Sequence, residues 1–352
     1  MFKKLKIIEL ASVFAGPSTA MFFAELGAKV IKVENKITNG DVTRSWKLKS
    51  EKNNSISAYF SSVNWGKEHV FLNFNDPTDK KVLTTLIKEA NIIITNFKKG
   101  DAKKFKLTFK ECKNINNNII YANLGGFKSN VSRVAYDVVI QAETGYMSMN
   151  GQATSPPTKM PLAMMDILAA HQLKEGILVA LLKQQENPNA YCVKTTLEET
   201  AIASLANQAS NYLMMNHIPN RIGSLHPNIA PYGEIIQTKD HKNIVLAIGS
   251  DKQFYLFTTL LNIDPQFLMN YKTNRLRVEN RVELIQLLQN KTHQILSKYL
   301  LDQCHELKIP VGEIKNLKDV FKSKTANNMI LEEKLGNELT KRVSSIAFKI
   351  YS

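Results

Sequence analysis

The sequence predicts an α/β protein: a doubly wound, mostly parallel, Rossmann-like sheet in a large domain, followed by a smaller α+β domain. Three observations lead there. Apolar β-rich runs alternate with helical periodicity through the first half of the chain, the rhythm of strand, helix, strand, helix that builds such sheets. One of those runs, Asn91–Thr95, is apolar throughout its centre, as a strand covered on both faces requires. After Arg221 the character changes, with Gly, His, Pro, Asn and Pro inside a dozen residues.

Taken in order, Lys6–Leu10 is a short apolar run bounded by charge, followed by Ala15, Gly16, Pro17 and Ser18 and an apolar segment to Gly27. Pro17 suits the first turn of a helix, where its missing N–H is no loss, and Gly16 allows close backbone approach to a ligand. Lys29–Glu34 is a second β-rich run. A strand, a helix of about ten residues and a strand make a βαβ unit with parallel strands. Open α/β sheets bind ligands beyond the carboxyl ends of their strands, which places the site there.

Residues 37–55 are polar and read as a long loop. His69–Phe74 alternates as a strand, and Asp76 with Pro77 starts a helix running to Ala90. Asn91–Thr95 is the next strand, and after a short helical passage Asn118–Asn123 is another. Asp166–Gln185 has helical periodicity, and 197–215 reads as a second long helix. Lys242–Ile248 is a strand, with helices at about 251–261 and 280–300. The expected division is a large domain over 1–200, a helical linker over 201–224, a small domain over 225–305 and a return segment over 306–352.

Composition narrows the function. The 352 residues suffice for two domains, and 44% hydrophobic with 22% charged residues is a globular balance. A net charge of +15 invites a nucleic-acid reading, but the lysines are scattered and no G-x-G-x-x-G follows the first strand. A basic surface equally attracts a small polyanion. Cys112, Cys192 and Cys304 are far apart, which argues against a disulfide framework and a zinc site and for a reducing, cytoplasmic setting. No metal site is expected. Glu9 and Pro17 interrupt the apolar stretch after Lys3, Lys4 and Lys6, so no signal peptide is expected, and no run approaches a membrane span.

Asp166 is the leading candidate for chemistry, a carboxylate without a charged neighbour for several residues on either side. Two readings stand: an N-cap satisfying the start of a long helix, or a functional carboxylate in apolar surroundings. Asn96, after the strand ending at Thr95, reads equally as a strand-end turn. Arg44 and Lys67 are either anion contacts or ordinary solvated charges.

Several motifs carry a resemblance that spacing alone does not supply. They are Leu10–Pro17 (LASVFAGP), Gly27–Glu34 (GAKVIKVE), Gly40–Arg44 (GDVTR), Val63–Lys67 (VNWGK), Thr95–Phe97 (TNF), Tyr136–Ala142 (YDVVIQA), His226–Tyr232 (HPNIAPY) and Asn274–Arg281 (NRLRVENR). Together they resemble the class III CoA-transferases, the family of formyl-CoA:oxalate, carnitine and succinate-type enzymes, with α-methylacyl-CoA racemases as a branch. The resemblance covers nearly the whole chain in order.

The resemblance implies that Asp166 matches the catalytic aspartate, forming an aspartyl-CoA thioester while CoA passes between an acyl-CoA and a free acid, a small dicarboxylate such as succinate. It implies that Phe14, Ala15 and Gly16 form the loop beside the CoA thioester, that Asn96 bonds the pantetheine arm, and that Arg44, Lys67 and Lys104 meet CoA phosphates. Lys104 stands where the family usually has arginine, keeping charge but losing bidentate geometry. Tyr136 and Asp137 match the pair beside the nucleophile. His226, Arg275, Arg277 and Arg281 mark the small domain without a specific role. No permanently bound cofactor is implied, CoA thioester being the substrate, and the partner is a second copy in an interlocked homodimer. Two departures stand out: Phe14 where many transferases are polar, and a short 125–133 loop. The racemase alternative needs a histidine base, and none lies between His69 and His171. The other alternative is a non-catalytic nucleotide- or nucleic-acid-binding protein.

Overall fold

A computed structural model describes residues 2–53 and 55–351 of the chain. It divides into two compact units. The larger contains the residues up to Met147, Lys159–Ile218 and the residues from Thr325 on; the smaller contains Ser148–Thr158 and Pro219–Lys324.

The larger unit is built on six strands, β1 (Lys6–Leu10), β2 (Lys29–Asn35), β3 (Lys67–Leu72), β4 (Ile92–Thr95), β5 (Ile120–Gly125) and β6 (Tyr191–Thr196). All neighbours are parallel, in the order β3-β2-β1-β4-β5-β6. The central strand β1 pairs Ile8 with Ile31 on one side and Ile93 on the other. Because both faces are covered, Ile7, Ile8 and Ile92 to Ile94 are fully buried. Helices α1 (Ala15–Glu25) and, after β5, the 23-residue helix Met164–Glu186 cover one face with Phe23, Met165, Leu173 and Ile177. Pro77–Glu89 and Phe109–Ile115 cover the other with Leu83, Ile87 and Cys112. We label these helices, with Asp101–Phe105 and Asp137–Glu143, in chain order: α2 (Pro77–Glu89), α3 (Asp101–Phe105), α4 (Phe109–Ile115), α5 (Asp137–Glu143) and α6 (Met164–Glu186).

Local chemistry accounts for the element ends. Asp76 accepts from the N–H groups of Thr78 and Asp79 at 2.9 Å ahead of Pro77, and Thr108 with Glu111 closes a capping box on α4. Two expected long helices are each broken. The 197–215 run is α7 (Leu197–Ala203) and α8 (Ala206–Met215), interrupted at Ser204 and Leu205 with Ala206 at φ 49°. The 280–300 run is α9 (Arg281–Thr292) and α10 (Ser297–Glu306), where the side chain of Asp240 takes the Ser297 N–H at 2.9 Å and its hydroxyl at 2.6 Å. The strand placed at 118–123 starts two residues later, at Ile120, and the 37–55 loop contains two 3-10 turns, Lys36–Thr38 and Val42–Ser45. Strand β6 had no counterpart in the sequence reading. It sits at the sheet edge, and Cys192 and Lys194 are exposed.

The smaller unit pairs β7 (Tyr232–Gln237), β8 (Asn243–Ala247) and β9 (Val311–Glu313) antiparallel around Ile244, Leu246 and Phe257. Two arginines of the 274–281 motif hold its entry loop. Arg277, almost fully buried, donates to the carbonyls of Ala230 and Tyr271 at 2.8 and 3.1 Å. Arg281 donates to those of His226 and Ile229 at 2.8 and 2.5 Å. Arg275 is exposed. A hairpin, β10 (Ile330–Leu335) and β11 (Glu338–Val343), belongs to the larger unit. It is tied there by the buried pair Arg342 and Glu25.

A candidate active-site cleft at the switch point of the sheet

Strand order reverses between β1 and β4, so the chains leaving their carboxyl ends diverge and open a crevice. A cavity of about 960 Å³ lies in the larger unit at this point. Phe14 and Ala15 reach it from the end of β1, Asn96 from the end of β4, Tyr136 from the loop before α5, and Asp166 from the first turn of α6. Val134 and Phe127 add apolar wall, and Lys98, Lys99, Lys128, Arg133 and Lys194 add positive charge. Among the described residues, no histidine lines it.

Asp166 is not an N-cap. Helix α6 begins two residues earlier, at Met164, and its capping position, Ala163, offers no side chain to it. A negative charge in the first turn is still favoured by the helix dipole. Burial, with the Asp137 carboxylate as a second cause, pushes the Asp166 carboxyl up to about 7. Asp137 does not line the cavity; it supports the element behind it. Its Oδ1 accepts from the Met165 N–H at 2.6 Å, and its Oδ2 accepts from Gln141 Nε2 at 2.5 Å. Gln141, fully buried, accepts the Met160 N–H on its Oε1 at 2.8 Å. The Tyr136–Gln141 motif thus holds both ends of the segment that delivers Asp166.

Other expected contact residues have partners within the protein or lie off the cavity. Lys67 is buried beneath the sheet end, where Nζ meets Glu9 Oε2 at 2.6 Å and donates to Pro17 O, Val63 O and Asn64 Oδ1. Burial pulls its ammonium down to about 8. It cannot reach a phosphate without abandoning these partners. Arg44 is clamped by both oxygens of Glu34, at 2.7 and 2.6 Å, and lies 3.9 Å above the Phe60 ring. Lys104 is exposed beside the Phe105 ring and outside the cavity lining. The Asn96 amide holds Ser12, accepting its N–H at 3.0 Å and donating to its carbonyl at 2.8 Å, and keeps a second N–H at the cavity it lines. A Cβ at Gly16 would meet that of Ala11 at 2.4 Å, so packing within the chain already requires glycine there.

The sequence reading missed the cationic rim, because the Lys98–Lys99 pair, Lys128 and Lys194 lie in three separate segments that only the sheet end gathers. It also missed Tyr59 and Trp46, placed in or just beyond an unremarkable polar loop. Tyr59 packs edge-on against both Phe14 and Trp46. Burial, then Asp166, Asp137 and Asp41, push its hydroxyl up to about 12.

Comparison with known proteins follows the same line. The profile of CoA-transferase family III matches residues 2–349. A succinate–glutarate CoA-transferase of Agrobacterium fabrum is 31% identical over 90% of this chain and 80% of that protein. The human succinyl-CoA:glutarate CoA-transferase is 31% identical over 90% of this chain and 72% of its own length. Among solved structures, a CAIB/BAIF family protein of Brucella suis superposes with a TM-score of 0.84 at 32% identity, covering 98% of this chain and 91% of that one.

Proposed function

The chain belongs to CoA-transferase family III, and on that premise we propose that it moves CoA between an acyl-CoA and a small dicarboxylic acid, with Asp166 as nucleophile. The observation that carries this reading is a single half-buried carboxyl, held near neutrality by burial and Asp137, opening into a cavity rimmed by lysines.

The chemistry balances without proton transfer. An oxygen of ionised Asp166 attacks the thioester carbonyl, the C–S bond breaks, and CoA thiolate leaves an acyl–aspartyl anhydride. The thiolate then attacks the aspartyl carbonyl, releasing the first acid as its carboxylate and leaving an aspartyl-CoA thioester. The acceptor carboxylate repeats both steps in reverse, and Asp166 emerges ionised. No base is required, which suits a cleft without a lining histidine among the described residues. The racemase alternative requires such a base. Each step exchanges one activated carboxyl for another, and an apolar wall that excludes water protects the anhydride. A carboxylate with a raised pKa is also the better nucleophile.

Lys98, Lys99 and Lys194 are the cations available to CoA phosphates, while Lys128 and Arg133 add charge from ion pairs with Glu199 and Glu143. The names of the Agrobacterium and human relatives support succinate and glutarate as the class of acid. Phe14 makes the wall by the β1 loop more apolar than in many transferases, which favours the methylene body of such an acid over a purely polar contact. The active form is an interlocked homodimer. The family match leaves the nucleic-acid alternative without support.

The test is exchange between succinyl-CoA and glutarate, with CoA products read by mass spectrometry. Asp166→Ala reduces exchange to background while the folded circular-dichroism spectrum is retained, and the wild-type chain incubated with succinyl-CoA gains the mass of covalently held CoA. Turnover surviving in Asp166→Ala would overturn the assignment.

A further inference from the structure

The turn from Ala11 into the start of α1 forms one side of the cleft through Ser12–Ala15, and polar side chains hold its main chain at Ala11, Ser12, Val13 and Pro17. Lys32 Nζ donates to Ala11 O at 2.9 Å. The Asn96 amide pairs with both main-chain groups of Ser12. Lys67 Nζ donates to Pro17 O at 2.9 Å. Between them stands Val13, whose φ of 72° puts a β-branched residue in the left-handed region. That conformation is a true outlier for valine and persists only where the surroundings force it.

The forcing group is Asp41. Both of its oxygens lie within 3.3 Å of the Val13 N–H. The carboxylate is itself fixed on three sides: Lys32 Nζ at 3.0 Å, the Thr43 N–H at 3.0 Å and the Thr43 hydroxyl at 2.8 Å. Its own N–H donates to Glu34 Oε2 at 2.8 Å, and that carboxylate is the one clamped by Arg44. Lys32 also meets Glu9 Oε1 at 2.6 Å, and Glu9 takes Lys67 on its other oxygen. Two carboxylates and two ammoniums thus form a buried, formally neutral network. None of the four side chains lines the cavity, so the network does not meet substrate. Burying four charges is costly and weak evidence for stability; its geometric result is a fixed, strained loop.

We propose that Asp41 is a positioning residue for the transfer: it holds Val13 left-handed and so sets Phe14 and Ala15 against the cleft that Asp166 enters. The inference rests on the reading of that cleft as the transfer site. The Arg44 and Lys67 ends of the network are supports of the same loop. This gives the Gly40–Arg44 and Val63–Lys67 motifs a role within the protein.

Asp41 and Val13 are tested as a double-mutant cycle. Asp41→Asn keeps the shape but replaces one acceptor oxygen with an NH2, so one oxygen is left for the Val13 N–H, both Thr43 donors and Lys32 Nζ; the clamp weakens and Val13 relaxes toward negative φ. The expected result is a kcat per folded chain at least about tenfold lower, with KM for succinyl-CoA changed by less than about threefold, the pattern of lost transition-state positioning. Glycine occupies the left-handed region without a clamp. Measured against Val13→Gly as its own baseline, Asp41→Asn therefore loses no more than about a third of that factor on a logarithmic scale. An Asp41→Asn loss of the same size in both backgrounds, or a kcat per folded chain unaffected by Asp41→Asn, overturns the proposal, since a merely stabilising network would move the melting temperature and the folded fraction alone. Should Asp41→Asn fail to fold, Thr43→Val removes only one donor to Asp41; a smaller kcat loss, again relieved by Val13→Gly, supports the proposal, and an unchanged kcat overturns it. Asp166→Ala is run beside them. If it retains turnover, the nucleophile assignment falls whatever the cycle shows; if it is inactive and the cycle shows no coupling, only the positioning role falls.

Discussion

Two carboxylates 29 residues apart in sequence, one in the cleft and one behind it, meet opposite fates. Asp137 spends both oxygens on N–H donors, whereas Asp166 has burial and a like charge against its ionised form. Since only the ionised form attacks a thioester, the sign is fixed: with the group titrating at about 7, kcat/KM is at its plateau above that pH and falls about tenfold per unit below it. Asp137→Asn keeps an acceptor for the Met165 N–H but removes the second cause of the raised value. The acid limb therefore moves to lower pH, by less than burial alone contributes, while the Gln141 contact is lost. A kcat/KM profile for both variants with succinyl-CoA as donor checks this. A parent limb near the ordinary carboxylate range would mean that Asp166 is solvated during turnover.

At the scale of elements, helix α6 is an apolar rod whose first turn must be held in register for Asp166 to face the cavity. Helix α5 does this through Gln141, which joins Met160 to Asp137. Gln141→Leu leaves the part-buried Met160 N–H and an Asp137 oxygen unpaired, each costing less than the about 1–3 kcal/mol of a fully buried group. The midpoint of urea unfolding drops with unchanged slope, and kcat falls more than KM rises. Equal stability in the variant would show that the motif is replaceable by packing.

This element also marks what the sequence could give. The βαβ opening was legible because Lys6–Leu10, Pro17 and Lys29–Glu34 combine period, cap and length, and Asp166 stood out as a lone carboxylate in apolar surroundings. The breaks at Ser204 and at His293–Leu296 were not legible, because apolar periodicity runs across both. Nor could a list of residues show that Arg44 and Lys67 are turned inward. Their partners, Glu34 and Glu9, lie 10 and 58 positions away and look like ordinary strand charges until the parallel register stacks β1, β2 and β3 side by side. The cationic rim failed for the converse reason, as lysines from three separate segments become a cluster only at the sheet end.

For the whole molecule, the question is what covers α8. This helix of 10 residues buries none of its side chains within the chain, and Leu213, Met214 and Met215 are each more than three-quarters exposed. Tyr212 and Ile218 extend the apolar surface. A helix this short is marginal in water without a packed face, and an apolar patch of this kind on a soluble chain marks a contact surface. If α8 packs against a second copy, as the proposed homodimer requires, the expected outcome in sedimentation at micromolar concentration is a dimer. Paired substitutions Leu213→Asp and Met214→Asp shift it to the mass of one chain, about 40 kDa, because burying two carboxylates in the contact costs several kcal/mol per ion. If the active form requires the second copy, exchange activity falls with the dimer fraction and recovers with protein concentration in the singly substituted chain. A substituted chain that sediments as a monomer yet retains full exchange would separate assembly from catalysis, and a wild-type chain that is monomeric at every concentration would leave α8 to be covered by something other than its own kind.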